Sequence, residues 1–175
     1  MRPTIIFVVL CSIVIYAFAD SEARPRPVVY ASPSGNHYFR LIPTKDPKEK
    51  IAEGFLYRVA AGEDELVYRT EGWYAFAVLV SNDGRHMARS GPWPRSGSPP
   101  EKTIAVVFYR DGSPIRTYYV SDLIEDLSAL RHSMSHYSWG RPLRWANDGM
   151  NNQVVVETVE NRTIIFNIET ATIVQ

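Results

Sequence analysis

Cysteine is nearly missing from this chain: Cys11 is the only one among 175 residues, and it sits in an apolar N-terminal stretch. No disulfide framework can staple the remaining residues together, so stability has to come from a hydrophobic core. Neither sign of charge is in excess, with 19 Lys and Arg against 19 Asp and Glu and no long basic run, which excludes the footprint of a nucleic-acid binder. The longest uncharged apolar run, Thr4 to Ala19, is shorter than the roughly 20 residues that cross a bilayer core. Complete catalytic signatures are missing too. There is no G-x-S-x-G elbow and no H-E-x-x-H zinc motif. The Asn-Asp-Gly turns place their oxygens on adjacent residues, where a calcium loop needs alternating ones. No motif calls for a cofactor.

What is present begins with the N-terminus. Arg2, the apolar run and Ala17-Phe18-Ala19 before Asp20 form the pattern of a secretory signal peptide over residues 1–19. Cleavage after Ala19 leaves 156 residues without cysteine, carrying 18 basic and 19 acidic side chains. The expected location is secreted or periplasmic, with no stable membrane span after cleavage. Residues 20–34, rich in Pro, Ser and charge, are expected to be a flexible N-terminal segment, and residues 35–175 a single β-rich domain.

Strand signals dominate from His37 onward. The aromatic and β-branched runs "HYFRLI", "GFLYRV" and "ELVYRT" are separated by polar, Gly-containing loops and predict paired strands. Ala75 to Val80 is almost continuously apolar and predicts a central strand covered on both faces, or the wall of a barrel or sandwich. "GPWPRSGSPPEK", with four prolines in twelve residues, is a surface loop because each proline lacks a ladder donor. "TIAVVFYR" and "SPIRTYYV" flank Asp111-Gly112, a dipeptide that supplies the positive φ a two-residue hairpin turn requires. "QVVVETV", "TIIFNI" and "TATIVQ" repeat the plan. Leu123, Leu127 and Leu130, after Ser121 and Asp122, recur at i, i+4 and i+7 behind a capping signal. They predict one packed helix around residues 122–136.

The hairpin blocks starting near Phe55, Ile104 and Val154 are spaced by 49 and 50 residues, and the first two share an aromatic-Arg step at Tyr57-Arg58 and Tyr109-Arg110. This spacing resembles that of β-propeller blades. A closed propeller needs at least four blades of four strands, more than 156 residues comfortably supply, and no GH…WD signature occurs. The expected class is therefore mainly β, an antiparallel meander or sandwich with blade-like local plan and one packed helix.

Two constellations bear on function. His132 and His136, four apart among Ser133, Ser135 and Ser138, would share a face of the predicted helix and reach one metal, or a serine such as Ser135 would pair with a histidine as nucleophile. The segment lacks the glutamate and third ligand of the first chemistry and the elbow of the second. Histidines near a helix C-terminus also complement its dipole without any further role. The aromatic residues form the second constellation. Trp93 lies in the proline-rich loop, and with Trp73, Tyr137 and Trp139 it is a candidate for stacking on a glycan or an apolar patch of a partner protein. Asn161-Arg162-Thr163 is an N-glycosylation acceptor in a eukaryotic host. The functional expectation is a secreted or envelope-associated, non-catalytic binding domain. A secreted hydrolase centred on His132 and His136 is its rival, and a small-ligand carrier barrel a third reading. The barrel reading lacks the G-x-W motif, since Gly72 directly precedes Trp73.

Overall fold

In the computed structural model, residues 22–45, 51–147 and 152–175 are described; the expected leader and Cys11 lie outside them. The first four strands, β1 (Val28–Ala31), β2 (His37–Pro43), β3 (Ala52–Arg58) and β4 (Glu65–Glu71), form one antiparallel meander. A second meander follows with β5 (Val78–Val80), β6 (His86–Ser90), β7 (Ile104–Arg110) and β8 (Ser113–Tyr119). The chain then makes a short helix, α1 (Val120–Leu123), and a two-stranded ladder of β9 (Arg131–His132) and β10 (Tyr137–Ser138). The third meander consists of β11 (Arg144–Trp145), β12 (Gln153–Glu157), β13 (Thr163–Asn167) and β14 (Thr172–Ile173).

The protein is thus mainly β, but its strands are divided among stacked sheets and do not form one continuous sheet. The second sheet is the middle layer. Met87, Val107 and Tyr109 pack with Phe39, Leu41 and Leu56 of the first sheet. Val106 and Phe108 pack with Val154, Val156 and Phe166 of the third. A register shift between Ile104 and Val106 lets Ala105 and Val106 both join the second cluster, the usual effect of a bulge on strand alternation. Among the described residues, no sheet closes on itself.

Three expectations need correction. The strands covered on both faces are β6 and β7, while Ala75 to Val80 supplies only the three residues of β5. Trp73 to Ala77 instead crosses between the first two sheets and turns Tyr74 and Ala75 into their shared core. The second correction concerns residues 20–34, since Val28–Ala31 form β1 in full register with β2. Just ahead of it, the Tyr74 hydroxyl holds Arg26, donating to its carbonyl at 3.0 Å and accepting from its N–H at 3.2 Å.

The third correction is the helix, which ends at Leu123 and does not reach residue 136. Its N-cap is Tyr119, ahead of both Ser121 and Asp122; Asp122 lies inside the helix and accepts from the Tyr119 N–H at 2.7 Å. Beyond it, the Glu160 carboxylate accepts from the backbone N–H groups of Glu125 at 3.1 Å and Asp126 at 2.7 Å. Those donors are satisfied outside any helix, and Ile124 is extended. Leu123, Ile124 and Leu130 still reach the core, whereas Leu127 is exposed. By contrast, the Asp111-Gly112 turn forms as expected, with φ of 49° and 81°. No helix among the described residues is long and apolar enough to cross a membrane.

Candidate functional site

Loops at one end of the second and third sheets enclose a cleft of about 310 Å³ lined by Phe76, Trp93, His136, Tyr137, Trp139 and Leu143. Pro92, Pro94 and Pro142 extend its apolar wall, and Ser90, Ser138 and Arg141 give it a few polar groups. This is the composition of a small recognition pocket: mostly apolar, with sparse polar points. Ala23 of the N-terminal segment also lines it.

Its walls are held by backbone contacts. On the second sheet, Gly91 turns the chain out of β6 with its N–H on the Ala105 carbonyl at 2.8 Å, and a Cβ there would run directly into the Ile104 carbonyl oxygen. The proline-rich loop is then tied to the turn between β9 and β10. Tyr137 N–H donates to Pro94 O, and Ser96 N–H to Ser135 O, each at 3.0 Å. The opposite wall continues from the third sheet, where Val159 N–H donates to Trp139 O at 3.0 Å and Arg141 N–H to Glu157 O at 2.8 Å. Gly140 lies so close to that strand that a Cβ would stand 2.7 Å from the Glu157 oxygen.

Three of the four aromatic residues singled out from sequence therefore converge. Trp93 lies over His136 with ring centroids 4.3 Å apart. Tyr137 is only 1% exposed, and its hydroxyl is buried without a hydrogen-bond partner among the described residues, an arrangement that costs free energy unless something supplies one. The fourth, Trp73, is half-buried and packs against the core between the first two sheets, 5.7 Å from Phe39 and 5.6 Å from Tyr109. There it carries the buried Arg89, whose guanidinium is 4.7 Å from the Trp73 ring and donates to the Tyr109 hydroxyl at 3.0 Å.

The histidine pair sits on a hairpin and not on a helix. His132 faces Tyr137 across the ladder, with rings 5.4 Å apart, whereas His136 turns to Trp93. The Ser133 hydroxyl meets His136 Nδ1 at 2.8 Å, donates to the His136 carbonyl at 3.1 Å and accepts from its N–H at 3.2 Å. Ser135 approaches the same nitrogen at 3.4 Å. These bonds close a turn whose tip is the fully exposed Met134. A triad would instead place its nucleophile and its orienting group on opposite ring nitrogens. Among the described residues, neither His132 nor His136 belongs to a group of three potential metal ligands. Asn161 is exposed on the turn between β12 and β13.

Sequence reasoning missed a polar cluster at the other end of β6. His86 Nδ1 meets Asp83 at 2.8 Å, while Arg110 Nε donates to His86 Nε2 at 3.1 Å. An arginine can only donate, so the ring carries its proton on Nδ1. Burial would raise the Asp83 carboxyl, but hydrogen bonds from Ser81, Arg85 and His86 outweigh it and bring the pKa down to about 2. Glu169 completes a trio whose ligand atoms lie within 4.8 Å of one another. Both ring nitrogens are already engaged, and the Arg110 guanidinium brings its own positive charge, so the cluster behaves as a structural network. Its signal in "SNDGRH" was the i, i+3 spacing of Asp83 and His86, which turn chemistry alone also accounts for.

No family model matches the sequence, and no curated protein is significantly similar to it.

Proposed function

We propose that the protein is a secreted or envelope-associated, non-catalytic binding domain, and that its site is the cleft of Trp93, His136, Tyr137 and Trp139. The observation that carries this reading is the convergence of these four residues, from loops more than 40 positions apart, on one cleft of about 310 Å³ with hydrogen-bonded walls. Rigid aromatic rings in a partly enclosed pocket are the usual anchors of recognition. The lining favours an apolar segment of a partner protein over a glycan, because three prolines, Phe76, Leu143 and the faces of Trp93 and Trp139 make most of its wall apolar. The leader-like N-terminus supports the location.

Panning a random-peptide display library on the chain, with the Trp93→Ala/Trp139→Ala variant as counter-target, tests the site. Enrichment of peptides with Pro, aromatic or aliphatic side chains that do not bind the variant is the expected result. Recovery only of peptides that bind both proteins equally sinks the assignment. Binding on a glycan array that disappears in the same variant would keep the site and change its occupant.

A further inference from the structure

The cleft is not lined by its folded loops alone. Ala23, from the segment ahead of β1, forms part of its wall together with Phe76, Trp93 and Trp139. Glu22 and Pro25 are half-buried, so the segment lies on the protein and does not run straight into solvent.

What holds the segment there sits downstream. The Tyr74 hydroxyl grips the Arg26 backbone on both sides, donating to its carbonyl at 3.0 Å and accepting from its N–H at 3.2 Å, and Val28 begins the ladder with β2. The crossing between the first two sheets carries both this grip and the cleft wall. Its Tyr74 ring meets Phe76 edge-on at 5.1 Å, and the Tyr30 hydroxyl donates to its Ala75 carbonyl at 3.1 Å. Upstream of Arg26 the attachment changes character. Among the described residues, Ala23, Arg24 and Pro25 form no hydrogen bond, and Ala23 and Arg24 are exposed. These three are held at the cleft by packing, next to a firm anchor.

The composition of the segment, Glu22-Ala23-Arg24-Pro25-Arg26-Pro27, fits that place. A residue before proline is pushed to extended or polyproline backbone, which applies to Arg24 and Arg26. Extended proline-bearing segments dock in aromatic-lined grooves because they have little conformational entropy left to lose. This cleft offers Phe76, Trp93 and Trp139 with three prolines. Tethering then favours occupancy: a ligand on a short link acts at an effective concentration of order millimolar, so an affinity of about that size keeps the site substantially filled.

Resting on the recognition role of the cleft, we propose that Glu22–Pro25 is its resident ligand and that a partner's segment binds by displacing it. The resident lowers the partner's apparent affinity in proportion to the fraction of cleft it leaves open. The Arg26 anchor keeps it near enough to return when the partner leaves.

Nuclear magnetic resonance on two forms of the full chain, as the expressing cell delivers them, tests this. One is the wild type; the other lacks Glu22–Arg24 but keeps the Arg26 anchor and β1. The probe is the synthetic hexapeptide of residues 22–27. The deletion should shift the indole N–H signals of Trp93 and Trp139, while that of Trp73, between the first two sheets, stays in place and reports an intact fold. The hexapeptide at about millimolar concentration should move the two signals back toward their wild-type positions. Its affinity for the wild type should be weaker by about threefold or more. A deletion that leaves both signals unmoved overturns the proposal. A hexapeptide that binds both forms equally, or does not bind the deleted form, also overturns it. Each of these results leaves the cleft standing, because its own test is the loss of library-selected peptides in Trp93→Ala/Trp139→Ala. If that loss is absent, cleft and resident ligand fall together.

Discussion

Trp93 and His136, 43 residues apart in the chain, lie ring against ring with centroids 4.3 Å apart and planes tilted by 45°. The contact joins the proline-rich loop of the second sheet to the turn between β9 and β10, and so fixes the mouth of the cleft. Aromatic pairs of this kind contribute about 0.5–1.5 kcal/mol beyond their area. Trp93→Ala should lower stability by about 1 kcal/mol in urea denaturation while the fold persists. A loss several times larger would make Trp93 a core residue and not a recognition residue.

Gly91 supports the same wall from beneath. A Cβ there meets backbone and not a movable side chain, so Gly91→Ala has to displace the start of the loop or of β7. Overpacking of this sort costs about 1–3 kcal/mol, and the larger value is expected here. Chemical denaturation should show it, together with shifted amide signals for Trp93 and Tyr137. Gly97→Ala, at a position with open space but positive φ, should cost less and leave the cleft signals in place.

Much of this was legible in sequence, because period-two patterning and Asp-Gly chemistry are local. β2, β3, β4, β7 and β8 fall where their aromatic and β-branched runs predict, but the even spacing of about 50 residues is no structural repeat, since Phe55 and Ile104 lie on the third strands of their sheets and Val154 on the second strand of its own. What failed depended on distant partners. The Leu123, Leu127, Leu130 stripe fits a helix, but Glu160, about 35 residues downstream, accepts from the Glu125 and Asp126 N–H groups and holds them in a crossing segment. Trp73 and Trp93 look alike in sequence. One is placed against the core by Phe39, Tyr109 and Arg89, the other at a cleft by a loop that Ser135 and Tyr137 tie down.

Arg89 offers a sharper test of that core. It is 7% exposed, lies against Trp73 and Tyr109, and donates to the Tyr109 hydroxyl and the Ser90 carbonyl. A lysine keeps the charge but cannot lie flat on the indole or hold both acceptors. Arg89→Lys should therefore destabilise by about 1–2 kcal/mol, the sum of a weakened cation–π contact and one lost hydrogen bond. A neutral outcome in thermal denaturation would show that the planar group is not required.

Asp83 sets a dependence on pH. Its folded pKa of about 2 lies below the ordinary carboxylate value of 3.8, so its stabilising effect is complete above about pH 4 and disappears as pH falls through 2. Asp83→Asn lacks that contribution throughout. The gap in urea midpoint between wild type and variant should be constant from pH 7 to pH 5 and shrink between pH 4 and pH 2. A gap unchanged across that window would mean that the carboxylate charge on Asp83 is not what stabilises the Ser81–His86 turn.

The cleft itself is tested most directly by the dissociation constant of a library-selected peptide, measured by calorimetry for the wild-type chain and for Trp93→Ala/Trp139→Ala. Truncating a buried aromatic anchor costs about 2 kcal/mol or more, roughly thirtyfold in affinity. At least that loss is expected in a variant that stays folded. Affinities equal within a factor of two would contradict a recognition role for these rings and move the binding site away from the cleft.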